Sequence, residues 1–234
     1  MNLDYSVVFA KIPILLEGCW VTLQISFFAL LLGMVFGIAG ALCRISSNKV
    51  LNSGAFFYVW VIRGTPVMVQ LFILYFGLPQ LGIKLPSMVA GVLGLAINTG
   101  AYITAIIRAG IQAVDRGQME AALGLSMTRW QALRHVVIPQ AFRVVIPPVT
   151  NDFISLLKDS SLVSIITMVD LTKAYGQIAA TYYDYFGTGI MVAAIYLLLG
   201  LPFVRLSRWA ERRFSVQDRE KQRHHENLMR GGWR

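Results

Sequence analysis

Charge is what this sequence has least of. Only 14% of its 234 residues are Asp, Glu, Lys or Arg, against about a quarter in an ordinary soluble domain. By contrast 56% are hydrophobic, and the mean hydropathy is +0.60. Ionised side chains are expensive in hydrocarbon, so the shortage points to a membrane protein. The net charge is +9, but the basic residues flank apolar runs instead of forming one patch, which argues against nucleic acid as a partner. Cysteine is also scarce. Cys19 and Cys43 sit at opposite ends of one apolar run, and a helix between them would hold them roughly 36 Å apart. They cannot bridge each other and read as two small buried hydrophobes.

Catalytic and metal signatures are missing as well. The sequence holds no G-x-x-x-x-G-K-[ST], H-E-x-x-H, C-x-x-C or G-x-S-x-G. It therefore shows no cradle for nucleotide phosphates, no metal site and no hydrolytic chemistry. The opening residues "MNLDYSVVFAKIPILLEG" lack a basic stretch and a small-residue cleavage site, so they do not read as a cleaved leader. They read as an interfacial lead-in over 1–18, with Pro13 and Glu17 counting against a span.

What the sequence does have is long apolar runs. A spanning helix needs about 20 apolar residues, and five candidates meet or approach that: 20–42, 56–78, 86–107, 142–166 and 186–206. The second is interrupted by "RGTP" at 63–66. The fourth contains Pro147 and Pro148, which predict an irregular start, and the charges Asp152, Lys158 and Asp159. Basic residues orient the chain. Arg44 and Lys49 follow the first candidate. Arg108, Arg116, Arg129 and Arg134 lie between the third and fourth, Arg143 lies at the very start of the fourth, and the end from Arg205 onward is the most basic stretch. Only Lys84 and Lys173 fall in the other loops. The expected fold is all-α and polytopic, with about five transmembrane helices, the N-terminus outside and the C-terminus cytoplasmic. The expected parts are a permeation domain over 19–214 and a charged tail over 215–234, whose His224 and His225 read as solvated. Tyr182, Tyr183, Tyr185 and Phe186 read as an outer aromatic belt. Five helices are few to enclose a pathway, so an oligomer is expected.

One cytoplasmic stretch between the third and fourth candidates does not match the oily chain around it. In "QMEAALGLSMTRWQALRHVVIPQ", residues 118–140, Leu123, Met127, Trp130, Leu133 and Val137 recur at three- and four-residue intervals. That periodicity predicts one face of an amphipathic helix. The bland alternative is a helix lying on lipid.

The stretch resembles the EAA loop of ABC importer permeases, through Glu120-Ala121-Ala122, the apolar Val136 and Ile138, and the closing Pro139. The glycine of that pattern falls at Ser126, with Gly124 two residues earlier, which leaves the position of the turn open. "RGTPVMVQLF" at 63–72, "INTGAYITAIIRAGI" at 97–111 and "NDFISLLKDSSL" at 151–162 are similar to segments of the polar amino acid permeases of the histidine/glutamine type. The resemblance implies an inner-membrane subunit of a bacterial ABC importer. Its coupling segment, 117–140, would be a short helix pair seated in a separate ATPase subunit, through Glu120, Ala121, Ala122, Gly124, Met127, Trp130 and Pro139. The implied partners are an ATPase dimer carrying ATP and Mg, a second permease subunit (identical or paralogous), a periplasmic or lipid-anchored binding protein, and an amino acid. No cofactor or metal is expected on this chain itself.

Spacing, together with the amino acid solute that the resemblance implies, suggests candidate solute-binding residues. Asp152, Ser155 and Asp159 fall along one helical face, with Asn151, Ser155 and Lys158 on a neighbouring strip, and intramembrane ionisable groups face a cavity or one another. A zwitterion needs carboxylates or carbonyls for its ammonium group and donors for its carboxylate. Asp152, Asp159, Ser155, Asn98, Thr99, Gln70 and Lys158 supply these, and two acids would suit a basic side chain. Asn98 and Tyr102 share a face, while Arg63 reads as an anchor at a helix end. The rival reading is an ion-coupled secondary transporter or channel with Asp152 and Asp159 as coupling acids.

Overall fold

The computed structural model describes residues 12–214. Most of the expected lead-in and the whole charged tail, with His224 and His225, lie outside the described residues. Every regular element among them is helical: α1 (Ile12–Ile45), α2 (Lys49–Gly64), α3 (Val67–Phe72), α4 (Ser87–Gln112), α5 (Arg116–Gly124), α6 (Arg129–Ala132), α7 (Ile138–Asp159), α8 (Leu171–Tyr182) and α9 (Tyr185–Phe214), with short π and 3₁₀ turns between some of them.

Among the described residues three helices are long and apolar enough to cross a membrane: α1, α4 and α9. A fourth crossing results if α2 and the segment Val67–Leu81, bent by 103° against each other, make one broken span. The expectation of about five differs from this at α7, which at 22 residues is long enough but carries Arg143, Asp152, Lys158 and Asp159. α1 also begins at Ile12, so Pro13 and Glu17 belong to its first turns instead of a separate lead-in. Proline is tolerated in a first turn, where its missing N–H would have no partner. Cys19 and Cys43 are free and lie on this one helix.

Pro147 and Pro148 do not break α7, contrary to the expected irregular start. The irregularity lies earlier, in a π turn at Leu133–Val137, and a second π turn occupies Ile73–Gly77. Both stand just before a proline, Pro139 and Pro79. Proline has no N–H and its ring pushes away the carbonyl four residues back. Each turn widens accordingly, so that Ile138 N–H donates to Leu133 O and Leu78 N–H donates to Ile73 O.

The described chain forms two compact units. One comprises residues up to Ala105 with Asp152–Phe203, the other Ile106–Asn151 with those from Val204 on. In the first, Ile25 and Ala29 of α1, Leu71 of α3, Leu95 and Ala96 of α4 and Leu156 of α7 share one buried cluster with Val163 and Ile166. A second cluster joins Leu15 and Cys19 to Leu171, Ala174 and Ile178 of α8 and Val192 of α9. Lipid gives helices no hydrophobic reason to associate, so close backbone packing matters more. At Gly37 and Gly40 of α1 an added Cβ would run into the side chains of Ile103 and Thr104. The Thr104 hydroxyl, shared between two carbonyls, lies 2.8 Å from Gly100 O and 3.2 Å from Gly37 O. In the second unit Gly110 of α4 lies against Val145 and Ala141 of α7 with no room for a Cβ.

Candidate functional site

The cavity of interest starts from a helix break. Thr65 precedes Pro66, and a residue before proline is driven to extended backbone. Thr65 duly ends α2 at φ −120°, ψ 143°, and Pro66 precedes α3. A break inside a membrane protein leaves carbonyls without partners, which must be satisfied from within. The Gln70 side chain does this. Its Nε2 lies 2.8 Å from Ile62 O, 3.2 Å from Thr65 O and 2.9 Å from Thr65 Oγ1.

Around the break lies a cavity of about 550 Å³. Its wall is the segment Arg63–Val67, then Asn98, Thr99 and Tyr102 of α4, and Asp152, Ser155, Leu156 and Asp159 of α7. The i, i+3, i+7 spacing of Asp152, Ser155 and Asp159 thus puts all three on one cavity. The Arg63 guanidinium stands 4.9 Å from the centre of the Tyr102 ring, a cation–π distance. One oxygen of Asp152, Oδ2, is buried and has no hydrogen-bond partner in the structure. Burying such an oxygen is unfavourable until a donor reaches it.

Five of the seven expected solute residues line this cavity: Asp152, Asp159, Ser155, Asn98 and Thr99. Gln70 is not on the lining. It is 9% exposed and spends its amide on the break and on Asn98, whose Nδ2 donates to Gln70 Oε1 at 3.2 Å. Lys158 is exposed and off the lining. Asn151, expected on the strip beside Lys158, instead bonds Ser207 and Glu211 of α9 within the second unit. Arg63, read from sequence as a helix-end anchor, is on the cavity wall. The signal for it was the Gly-Thr-Pro that follows, which marks a break.

The stretch 118–140 is not one amphipathic helix. It is a helix pair, α5 and α6, joined at Leu125–Thr128 and running through the π turn into α7. The periodic apolar residues are divided: Trp130 is 60% exposed, while Val137 is buried. The turn is centred on Ser126, which has φ 62°, whereas Gly124 is an ordinary helical residue. Its hydrogen bonds explain this. Met127 N–H donates to Ala122 O at 3.2 Å and Ser126 N–H to Leu123 O at 3.0 Å, the Schellman closure that requires a left-handed residue after the helix end. Thr128 and Gln131 then cap α6 reciprocally. Ala122 and Ala132 are buried, and Gln140 Nε2 donates to Gln118 Oε1 at 3.2 Å. Glu120, Ala121, Gly124 and Pro139 are exposed, as are Leu123 and Leu125, while Met127 is half-buried. An exposed apolar tip on an ordered hairpin suits a protein interface. Among the described residues no group of His, Cys, Asp or Glu could hold a metal ion.

A helical membrane subunit with a charged internal cavity and an exposed apolar hairpin is a transport component in outline. Residues 29–216 match the family of binding-protein-dependent transport system inner membrane components, and the chain belongs to that family. It is 38% identical over 219 residues to the arginine transport system permease protein ArtQ of Bacillus subtilis, covering 93% of this chain and 100% of that one. It is 34% identical over 218 residues to the glutamine transport system permease protein GlnP of Escherichia coli, covering 92% and 100%. An amino acid ABC transporter solved with histidines superposes with a TM-score of 0.86 at 44% identity, covering 91% of this chain and all of that one. The fold extends to an inward-facing methionine ABC transporter, at a TM-score of 0.69 and 19% identity.

Proposed function

We propose that this chain is the permease subunit of an ATP-driven importer for polar amino acids, basic ones among them, and that the cavity between Arg63, Asn98 and Asp152 holds the solute. The observation that carries the reading is the pairing of charges in one cavity. Arg63 offers donors for an α-carboxylate, and Asp152 and Asp159 offer acceptors for an ammonium group. The unpaired Asp152 oxygen is the place for that cation. A volume of about 550 Å³ falls in the range of small-molecule pockets. The names of the relatives, arginine and glutamine permeases, support the same class.

In this reading the chain has no ATPase site of its own. A dimer of ATPase subunits, loaded with ATP and Mg, grips the α5–α6 hairpin through Glu120, Ala121, Met127, Trp130 and their neighbours. A binding protein, periplasmic or lipid-anchored, delivers the amino acid from outside, where the N-terminus lies. A second permease subunit completes the pathway in a bacterial inner membrane, and closure of the ATPases switches cavity access from one side to the other. Co-purification with the ATPase, followed by ATP hydrolysis measured against a panel of amino acids with the binding protein, tests this. Stimulation by basic or other polar amino acids is expected. Hydrolysis indifferent to every amino acid would refute the reading.

A further inference from the structure

We infer that Gln70 is a positioning residue: locked by the oxygens of the helix break, its carboxamide fixes which way round Asn98 stands, so that Asn98 turns its carbonyl oxygen to the ligand. The inference rests on the reading that this cavity holds the amino acid.

Ile62 O and Thr65 O are carbonyl oxygens and can only accept. The Thr65 hydroxyl donates its single proton to Val61 O at 2.9 Å, so toward Gln70 it too can only accept. Three acceptors therefore surround one end of the Gln70 amide, at 2.8, 3.2 and 2.9 Å. That end must be the NH₂. The other end, Oε1, must then face α4, where Asn98 meets it at 3.2 Å. An oxygen there demands a donor, so Asn98 presents Nδ2 to Gln70. Among the described residues no protein group donates to Asn98 Oδ1, and Asn98 lines the cavity. Turning either amide over would set oxygen against oxygen at a nearly buried position, which is costly. The backbone of the break thus dictates, through two amides, that the α4 wall offers an acceptor. That acceptor adds to Asp152 and Asp159 on the same cavity and favours a ligand N–H.

The test is binding of L-arginine, L-histidine and L-glutamine to the purified permease–ATPase complex without binding protein, by calorimetry. Asn98→Ala and Gln70→Met should each raise the Kd of the best-bound probe roughly tenfold. The double variant should be no weaker than Asn98→Ala, because Gln70 acts through Asn98. Losses that multiply in the double variant, or no loss in Gln70→Met, overturn the inference while the cavity reading stands. An unchanged Kd in Asn98→Ala, or no binding to the wild type, overturns both. If Gln70→Met does not assemble, Asn98→Asp decides, since it leaves Gln70 intact. Its carboxylate would meet the fixed Gln70 Oε1, so binding should weaken despite the added negative charge. Equal or tighter binding would overturn the inference.

Discussion

The chain interrupts its helices at two places that matter, and it does so by opposite means. At Arg63–Val67 the break is dictated by sequence. Pro66 forces Thr65 into extended backbone, and a buried amide then satisfies the oxygens left over. At Leu125–Thr128 the turn is dictated by hydrogen bonding, against the preference of the residue that makes it. Ser126 takes a left-handed conformation that costs about 1–2 kcal/mol, because the closure onto Ala122 and Leu123 demands it. The first break is relaxed and polar and opens onto a cavity. The second is strained and carries exposed apolar side chains. A relaxed break suits a wall that must keep its shape for a ligand, and a tight hairpin suits a rigid knob for a partner.

Four substitutions test that contrast. The largest effect belongs to the knob. Ala121 is exposed while Ala122 is buried, so Ala121→Trp should leave the hairpin folded yet abolish capture of the ATPase in a pull-down. Retained capture would mean the partner does not use this face. Next comes the cavity: Asp152→Asn should lower uptake at least roughly tenfold, the scale of one lost charged hydrogen bond, with the complex still assembled. Wild-type uptake by that variant would remove Asp152 from the site.

A smaller change is expected where α4 meets α7. Gly110→Val would force a side chain into Val145, an overpacking that costs about 1–3 kcal/mol. Thermal unfolding of the purified subunit should start at a lower temperature, and an unaltered melt would show that the contact yields freely. The smallest effect should be a gain. Ser126→Gly removes the left-handed penalty and returns part of it as chain entropy, a net of about 0.5–1 kcal/mol. The melting midpoint should rise by about 1–3 °C, and a fall would mean that the serine side chain supports the turn.

Much of this was legible in the residues themselves, and the parts that were not have physical reasons. The i, i+3, i+7 spacing of Asp152, Ser155 and Asp159 placed them on one face, and they do share a cavity. The Gly-Thr-Pro run marks a break but not its angle; Arg63 does sit in the last turn of α2, as its helix-end reading has it, and the folded chain adds that it also lines the cavity. By its chemistry alone Gln70 reads as a solute ligand. That an amide is consumed by carbonyls left open across the break emerges only once the chain is folded. In the hairpin, apolar periodicity ran straight through Ser126 and suggested one helix face, because a pattern of side chains does not register a turn made by a residue unsuited to it. The π turns leave a fainter trace in the sequence: each stands just before a proline, and that offset is their signal.

The most direct test of the account is uptake into proteoliposomes holding this chain with its ATPase and binding protein, with the energy source varied. The account predicts amino acid accumulation that requires internal ATP and the binding protein and ignores proton or sodium gradients. Accumulation driven by an ion gradient without ATP would contradict it, and would recast Asp152 and Asp159 as the acids of an ion-coupled transporter.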